Sequence, residues 1–489
     1  MSDSYSIEAD GVPARVVISN KEGEYVPIYS LEIPFLGEAT ENYLNVLKQT
    51  LLKNLVFNNQ EILDPRNLKE LKKKFSDEGK SLVNSKFPSL SDREKTIIAG
   101  RLLQEMFGLD KIEFLLKDDW IEEICINSST EPIWVFHRKH GWVKTNINLP
   151  SDSVVSNYAG LIGRRVGRQI NIQNPLLDAY LITGDRVNAT LFPISMFGNT
   201  ITIRKFARKP WTITDLIKNN TISSELAALL WLAMQYEMNV LVSGGTGSGK
   251  TSFLNVLTAF IPQNQRVISI EQTREITLPK HLQWVPLVVR ETGAEEHGKV
   301  EMLDLMVNSL RMRPDRIIVG EVRRAEEAQV LFEAMHTGHS VYATLHAETV
   351  SETLRRLNNP PIDLPGVMLE SLHLVVAMYR DKRSGIRRVF EVGELIPSEK
   401  GEHVSASILY KWKAFKDSFE PDQPSIRLME SLMTFTRMNE EQVADDLKEK
   451  QKILDWLVKQ DVNTVDGVGE VFALYYSDKE ELLKRVRKK

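Results

Sequence analysis

Short runs of apolar residues alternate with amphipathic segments between about residues 214 and 396. Four of these runs predict β-strands, at residues 239–243, 266–270, 316–319 and 340–345. The intervening periodicity predicts helices at residues 250–261, 300–310 and 325–335. Apolar strands separated by helices are typical of a parallel sheet that is covered on both faces. We therefore predict an α/β fold here, with a hairpin turn at Ser384-Gly385 between two further strands.

A second α/β pattern precedes this region. Ser91 is a candidate N-cap for a helix with one apolar face, and strands are predicted at residues 121–126, 133–136 and 200–206. Arg208, Lys209 and Pro210 then indicate a linker, because proline disfavours helix at its own position and just before it. We expect four regions: an N-terminal extension (1–92), an α/β domain (93–208), an α/β core (209–396) and a helical C-terminal region (397–489).

Composition and charge narrow the class of protein. Lys and Arg number 62 against 66 Asp and Glu, so the overall charge gives no reason to expect a nucleic-acid partner. One cysteine, Cys125, excludes an internal disulfide and a zinc site made of several thiolates. The longest apolar stretch, residues 226–234, is well short of the roughly 20 residues that cross a bilayer. The first residues also lack the pattern of a signal peptide, so we expect a cytoplasmic protein.

The strongest chemical motif has the pattern G-x-x-x-x-G-K-[ST] and lies between a predicted strand and a predicted helix. Its residues are Gly244, Gly245, Thr246, Gly247, Ser248, Gly249, Lys250 and Thr251. Glycines let backbone N–H groups converge on phosphate oxygens, Lys250 reaches the β and γ phosphates, and the Thr251 hydroxyl ligates Mg²⁺. The motif therefore predicts binding of ATP with Mg²⁺.

Acidic residues at the ends of two predicted strands are candidates for deprotonating the attacking water and for binding the metal ion. Glu321 ends an apolar strand at the sheet edge where ligands bind in open α/β folds, and a carboxylate there can deprotonate an attacking water. The alternative is that Glu321 only caps the next helix, although Glu326 and Glu327 could serve that dipole equally well. Glu271 and Glu275 follow another strand, where they could reach the metal through water or be ordinary surface residues.

Three histidines surround the strand predicted at residues 340–345. A shared metal site is disfavoured, because His336 and His339 precede the strand while His346 follows it, roughly 20 Å away at about 3.3 Å per residue. Hydrogen bonding to phosphate or to the catalytic carboxylate is the functional interpretation of His339 or His346. A structural histidine is the equal alternative.

Taken in order, these motifs resemble those of the type II/type IV secretion ATPase superfamily, and within it the archaeal pilus, archaellum and secretion ATPases. The resemblance covers about residues 96–396. It rests on the phosphate loop and on Ile270-Glu271-Gln272-Thr273-Arg274-Glu275, Arg290-Glu291-Thr292-Gly293, Ile318-Val319-Gly320-Glu321-Val322-Arg323 and Thr337-Gly338-His339 through Thr344-Leu345-His346-Ala347. By position, the matches are Glu271 and Glu275 to the family's aspartate box, Glu321 to its Walker B glutamate, and His339 and His346 to its histidine box.

The resemblance implies a RecA-like P-loop ATPase core behind a mixed α/β domain, assembled as a homo-hexamer. Hydrolysis in such a ring drives domain rotation that assembles or moves a pilin-like filament or a secretion machine. The expected partner is a polytopic membrane platform protein, met at the inner face of the cell membrane. The family also directs arginines of the N-terminal domain at the phosphates, and Arg186 and Arg204 fall at the matching positions. The alternative for both is an ordinary solvated strand arginine.

The sequence departs from the family pattern at two points. Gln272 stands where the family commonly has aspartate, which removes one negative charge near the metal. A single cysteine cannot form the four-cysteine zinc module of bacterial type II members, which favours the archaeal type. Two other functions stay open: a nucleotide-gated scaffold with negligible hydrolysis, and a DNA-translocating RecA-like ATPase, which the balanced charge disfavours.

Overall fold

The computed structural model describes residues 3–34, 43–44, 46–51, 68–181, 183–206, 209–290, 298–381, 383–398 and 404–487. The chain divides into two compact units, residues 1–208 and 209–489. Within these described ranges, each unit contains one nine-stranded sheet. Among the residues described, no helix is both long enough and apolar enough to span a bilayer.

The first unit is a mixed α/β fold. Its strands are β1 (Asp3–Ala9), β2 (Val12–Ser19), β3 (Ile28–Glu32), β4 (Ile121–Ile126), β5 (Trp134–His137), β6 (Gly141–Thr145), β7 (Leu176–Tyr180), β8 (Arg186–Thr190) and β9 (Thr200–Arg204). Their order in the sheet is β1-β2-β3-β6-β5-β4-β9-β8-β7. The accompanying helices are α1 (Leu68–Lys86), α2 (Asp92–Phe107), α3 (Ile112–Lys117) and α4 (Asp152–Arg165). Ser91 caps α2 as predicted, in a capping box with Glu94.

The first three strands extend the sheet of the domain that follows them. β3 pairs in parallel with β6, with Tyr29 opposite Thr145. The hydroxyls of Tyr5 and Tyr29 both donate to one carboxylate oxygen of Asp118, at 2.6 and 2.7 Å. Residues 3–32 therefore share a sheet and an apolar core with the α/β domain. The pairing joins segments far apart in sequence, so local alternation reveals the strands but not their neighbours.

The second unit contains the predicted parallel sheet. Its strands are β10 (Val240–Gly244), β11 (Arg266–Glu271), β12 (Gln283–Val288), β13 (Arg316–Val319), β14 (Ser340–Leu345), β15 (Leu374–Arg380), β16 (Arg387–Pro397), β17 (Val404–Lys413) and β18 (Ser418–Pro421). They are ordered β12-β11-β13-β14-β10-β15-β16-β17-β18. All pairs from β12 to β15 are parallel, and the pairs from β15 to β18 are antiparallel. The hairpin predicted at Ser384-Gly385 joins β15 and β16.

Helices cover both faces of this sheet, as predicted. They are α5 (Ile213–Lys218), α6 (Ser224–Gln235), α7 (Lys250–Leu257), α8 (Met302–Ser309), α9 (Ala325–His336), α10 (Val350–Asn358), α11 (Gly366–Leu369), α12 (Arg427–Thr436), α13 (Glu440–Lys459), α14 (Val465–Ser477) and α15 (Lys479–Arg487). Short 3-10 turns, Thr258–Phe260 and Leu310–Met312, prolong α7 and α8. The two faces carry separate apolar clusters, so the sheet is buried on both sides.

The C-terminal region is helical from Arg427 onward, and two strands that the sequence did not predict precede these helices. β17 pairs with β16, with Ala406 opposite Leu395, and β18 pairs with β17. Most residues of β17 are only half-buried. The strand therefore lacks the alternation between buried and exposed positions that would have revealed it.

The C-terminal helices complete the core on the α6 face of the sheet. Trp231 of α6 is fully buried, with its ring 4.6 Å from Phe472 and 4.7 Å from Tyr475. The ammonium of Lys450, also fully buried, lies 5.3 Å over the Trp231 ring and donates to the Asp446 carboxylate at 2.5 Å. The aromatic cluster and the cation–π contact between Lys450 and Trp231 thus attach these helices to the rest of the unit.

We expect Trp231→Ala to destabilise the second unit by about 3–5 kcal/mol, because it opens a cavity at the centre of this cluster. Phe415→Ala is the matched control, since Phe415 lies in the same unit and is fully exposed, and it should change stability by less than about 0.5 kcal/mol. Urea denaturation of the full chain measures both. Equal effects of the two substitutions would contradict the packing described here.

Candidate functional site

The predicted phosphate loop connects β10 to α7 at the carboxyl edge of the parallel sheet. The strand ends at Gly244 and the helix begins at Lys250. Gly247 and Gly249 have φ angles of 71° and 90°, in the left-handed region that favours glycine. The Ser248 hydroxyl donates to the Gly245 carbonyl at 2.9 Å and closes the loop on itself. The backbone therefore curls at the N-terminus of α7, where N–H groups can converge on an anion.

Lys250 is the loop's cation and is nearly buried. Its Nζ donates to the Gly245 carbonyl at 3.0 Å and lies 3.3 Å from Nδ1 of His346. Burial lowers the pKa of the Lys250 ammonium, while the carboxylates of Glu321 and Glu275 act in the opposite direction. The ammonium is thus held at the loop with two carboxylates nearby, rather than exposed to solvent.

His346 connects Lys250 to the predicted catalytic carboxylate. Its Nε2 lies 2.8 Å from Oε1 of Glu321. Burial, and then the charge of Lys250, lower the pKa of the His346 imidazole. A neutral ring with its proton on Nε2 satisfies both contacts, because Nδ1 then accepts from the ammonium and Nε2 donates to the carboxylate. The structure therefore brings Lys250, His346 and Glu321 together.

Arg323 is a site residue that the sequence interpretation missed. Its Nε and Nη2 donate to Oε2 of Glu321 at 3.0 and 2.7 Å, and its Nη1 donates to the Gln272 amide oxygen at 2.6 Å. Both oxygens of Glu321 are therefore held, one by a histidine and one by an arginine. The signal was present in the sequence, since Arg323 is part of the Gly320-Glu321-Val322-Arg323 segment.

Glu271 ends β11 in a buried position next to Gly320. Its Oε1 accepts the backbone N–H groups of Glu275 and Ile276 at 2.8 and 3.0 Å. Its Oε2 is buried and has no hydrogen-bond partner among the residues described. Burial raises the pKa of the Glu271 carboxyl to about 7. Glu275 itself is exposed.

These groups fit a nucleotide with a divalent cation. The loop offers backbone N–H groups and the Lys250 ammonium to phosphate oxygens, and Thr251 stands half-buried in the first turn of α7. A cation or its water would give Oε2 of Glu271 the partner that it lacks within the described part of the chain. Thr251 and Glu271, with Glu275 beside them, are therefore the residues that could hold Mg²⁺.

His339 lies at the other end of β14. Its Nδ1 is 3.0 Å from the Thr337 hydroxyl, and its backbone N–H donates to the Ala334 carbonyl. β14 and β10 are parallel, so His346 stands at the edge of the phosphate loop and His339 at the opposite edge. Within this chain, the strand therefore keeps the two histidines apart. This separation is what their spacing in the sequence predicts.

Arg186 and Arg204 belong to the first unit, where they are directly opposite each other in the β8–β9 pair. Opposed residues of an antiparallel pair point to the same face, so two cations stand side by side. Arg186 makes two hydrogen bonds to Asp178, at 3.0 and 2.5 Å, and Arg204 is exposed.

In the Arg290-Glu291-Thr292-Gly293 segment, residues 291–293 lie outside the described residues.

The fold and this loop define a RecA-like P-loop protein. A sequence model described as type II/IV secretion system protein matches residues 181–380. An uncharacterised protein of Methanocaldococcus jannaschii is 32% identical over 382 residues, which are 77% of this chain and 69% of that protein. On these matches, the chain belongs to the type II/IV secretion system protein family.

Two further similar proteins have names that refer to a transfer or secretion system. The conjugal transfer protein TrbB of Rhizobium radiobacter is 30% identical over 303 residues, 60% of this chain and 88% of that protein. Among solved structures, the VirB11 ATPase from the Brucella suis type IV secretion system, in complex with sulphate, is 25% identical with a TM-score of 0.30. That match covers 57% of this chain and 90% of the VirB11 chain.

The raised pKa of Glu271 predicts a pH effect on stability. The folded state binds this proton more tightly than the unfolded state, so stability is lost as pH rises from the ordinary value of 4.5 through about 7. Glu271→Gln has no such loss. Between pH 5 and pH 8 without Mg²⁺, we expect wild type to lose roughly 2.5 kcal/mol relative to this variant, at about 1.4 kcal/mol per pKa unit.

Urea denaturation at the two pH values measures this difference. Glu326→Gln is the control, because Glu326 is an exposed carboxylate of the same unit, and its difference from wild type should vary by less than about 0.5 kcal/mol. A pH-independent difference between wild type and Glu271→Gln would contradict the burial of this carboxyl.

Proposed function

We propose that this protein is an ATPase that powers the assembly or movement of a type IV pilus-like filament or a type II-like secretion machine. The observation that carries the proposal is the contact chain from Lys250 through His346 to Glu321, at 3.3 and 2.8 Å. This contact chain connects the ammonium that binds phosphate to a carboxylate that can orient and deprotonate the attacking water. Membership of the type II/IV secretion system protein family supports the proposal of such a machine.

The loop residues bind the triphosphate. Backbone N–H groups from Gly244 to Thr251 and the Lys250 ammonium neutralise phosphate oxygens at the N-terminus of α7. Thr251 and Glu271, assisted by Glu275, would hold Mg²⁺. The metal ion would supply positive charge that neutralises the bound polyphosphate.

Glu321 orients the attacking water and accepts its proton. His346 and Arg323 fix the two carboxylate oxygens, so the base does not swing away from the loop. The neutral imidazole donates one hydrogen bond to Glu321 without adding a full charge beside the phosphate. His346 is therefore the histidine that we assign to this site, and His339 takes no part in it within the same chain.

The first unit contributes Arg186 and Arg204. A guanidinium directed at the γ phosphate stabilises charge that develops during transfer, and it also makes hydrolysis sensitive to the position of its domain. We infer a homo-hexameric ring in which this dependence couples hydrolysis to domain motion. The ring would work in the cytoplasm against a polytopic platform protein at the inner face of the cell membrane.

Glu321→Gln should lower ATP hydrolysis by about 10²- to 10⁴-fold, because the amide cannot accept the proton of water. ATP binding should stay within a few-fold of wild type. Glu326→Gln is the matched control, since Glu326 is an exposed carboxylate in the first turn of α9 and a helix-capping role could fall to it equally. Phosphate release and fluorescent-nucleotide titration measure the two quantities.

Two outcomes would contradict the assignment. Hydrolysis by Glu321→Gln at the wild-type rate would exclude the carboxylate as the base. Wild-type protein that binds ATP with Mg²⁺ but does not hydrolyse it would favour a nucleotide-gated scaffold instead.

Arg186→Gln and Arg204→Gln should each lower kcat, by up to about 10³-fold, while KM stays within a few-fold, because the charge they stabilise is largest in the transition state. Arg138→Gln is the control, since Arg138 directly follows β5 in the first unit and its Nε lies 3.5 Å from Oε1 of Glu122. Steady-state kinetics on the assembled protein separates kcat from KM. An unchanged kcat in both variants would contradict this role and favour the alternative that both are ordinary surface arginines.

A further inference from the structure

Two arginines of the β15–β16 hairpin stand beside the phosphate loop. β15 is the parallel neighbour of β10, with Met378 opposite Gly244. The strand continues two residues further to Arg380, and β16 returns from Arg387. Because parallel strands end at the same edge, the hairpin rises on the side of the loop away from Glu321.

The turn of this hairpin is held by Asp381. Its carboxylate accepts the backbone N–H of Arg383 at 2.9 Å and the Ser384 hydroxyl at 2.6 Å. Its own backbone N–H donates to the Ile386 carbonyl, and its carbonyl accepts from Gly385, both at 2.9 Å. The positions of the flanking arginines are therefore set by a closed turn and by the pairing of the two strands.

Both arginines touch the loop itself. Nε of Arg387 donates to the Gly247 carbonyl at 3.1 Å. Nη1 of Arg380 approaches so closely that a Cβ built on Gly247 would lie 2.5 Å from it. A Cβ on Gly249 would in turn lie 3.4 Å from Cδ of Arg387. The glycines thus leave space for guanidinium groups as well as for phosphate.

Arg380 has an unused donor at this place. Its Nε is buried and has no hydrogen-bond partner among the residues described. A buried N–H without a partner is unfavourable, and two guanidinium groups against one loop residue repel each other. An anion bound at the loop would relieve both effects, because it supplies an acceptor and negative charge at once.

We propose that Arg380 and Arg387 form a polyphosphate subsite on the hairpin side of the loop. It binds phosphates that a nucleoside diphosphate and a triphosphate have in common, so it contributes to affinity for both and not to the transfer step. The inference rests on the proposed nucleotide site at this loop. It adds a second group of cations that the phosphate-loop motif does not contain.

Binding of fluorescent mant-ADP tests the proposal. Arg380→Gln and Arg387→Gln should each weaken binding by about tenfold, the loss expected for one hydrogen bond to a charged group. Arg383→Gln is the control, since Arg383 is an exposed arginine of the same hairpin and contacts Asp381 through its backbone. Its affinity should match wild type. The kcat of Arg383→Gln at saturating ATP should also stay within about twofold of wild type.

Displacement of mant-ADP by inorganic tripolyphosphate distinguishes phosphate from base or ribose. The two variants should lose affinity for tripolyphosphate by the same factor as for mant-ADP. A loss for mant-ADP with unchanged tripolyphosphate affinity would overturn the phosphate assignment. Wild-type affinity for both probes in both variants would overturn the subsite altogether.

Thermal unfolding without nucleotide distinguishes two roles of the arginines: binding phosphate, and holding the conformation of the phosphate loop. The melting temperatures of the variants should equal that of wild type; if they fall together with affinity, and Arg380→Lys and Arg387→Lys recover neither, the arginines only hold the Gly247 carbonyl and the proposal fails. Arg380→Lys and Arg387→Lys keep the charge and should recover part of the affinity even where the glutamine variants are unstable. Wild-type protein that binds no mant-ADP would instead reject the proposed function.

Discussion

Parallel strands all end at one edge of their sheet, and the candidate site of the second unit depends on this constraint. Gly244, Glu271, Glu321 and His346 lie at or just beyond the ends of β10, β11, β13 and β14. These strands are separated along the chain by helices, yet their register places the four ends side by side along one edge of the sheet. β14 lies between the loop strand and the strand of Glu321, which is why His346 can bridge Lys250 to that carboxylate.

The sequence predicted the parts of this arrangement that local pattern controls. Apolar runs located β13 and β14 to the residue, and the loop motif located the site, because both are properties of consecutive residues. It did not predict that β3 pairs with β6, since that pairing depends on distant segments. The sequence did not predict β17 either, because most of its residues are half-buried and show no alternation between buried and exposed positions. Among site residues, the sequence proposed Glu321 but gave no account of Arg323, whose role depends on where its flexible side chain turns.

Gln272 gains a physical explanation from the network around Glu321. An aspartate at this position would compete for the Arg323 guanidinium, whereas the Gln272 amide accepts one hydrogen bond from Nη1 and leaves the charge of Arg323 to Glu321. The departure from the usual acidic pair therefore alters the environment of Arg323 directly. Glu271, by contrast, is fixed by backbone N–H groups and does not depend on the neighbouring side chain.

The aromatic cluster around Trp231 has a consequence for the order in which the protein folds during translation. The first unit is continuous in sequence, so all of its strands leave the ribosome before the second unit is complete. The core of the second unit contains Phe472, Tyr475 and Leu482, which are made more than 200 residues after the phosphate loop. The phosphate loop therefore emerges long before its supporting core can close, and a competent site forms only after the C-terminal helices have been made.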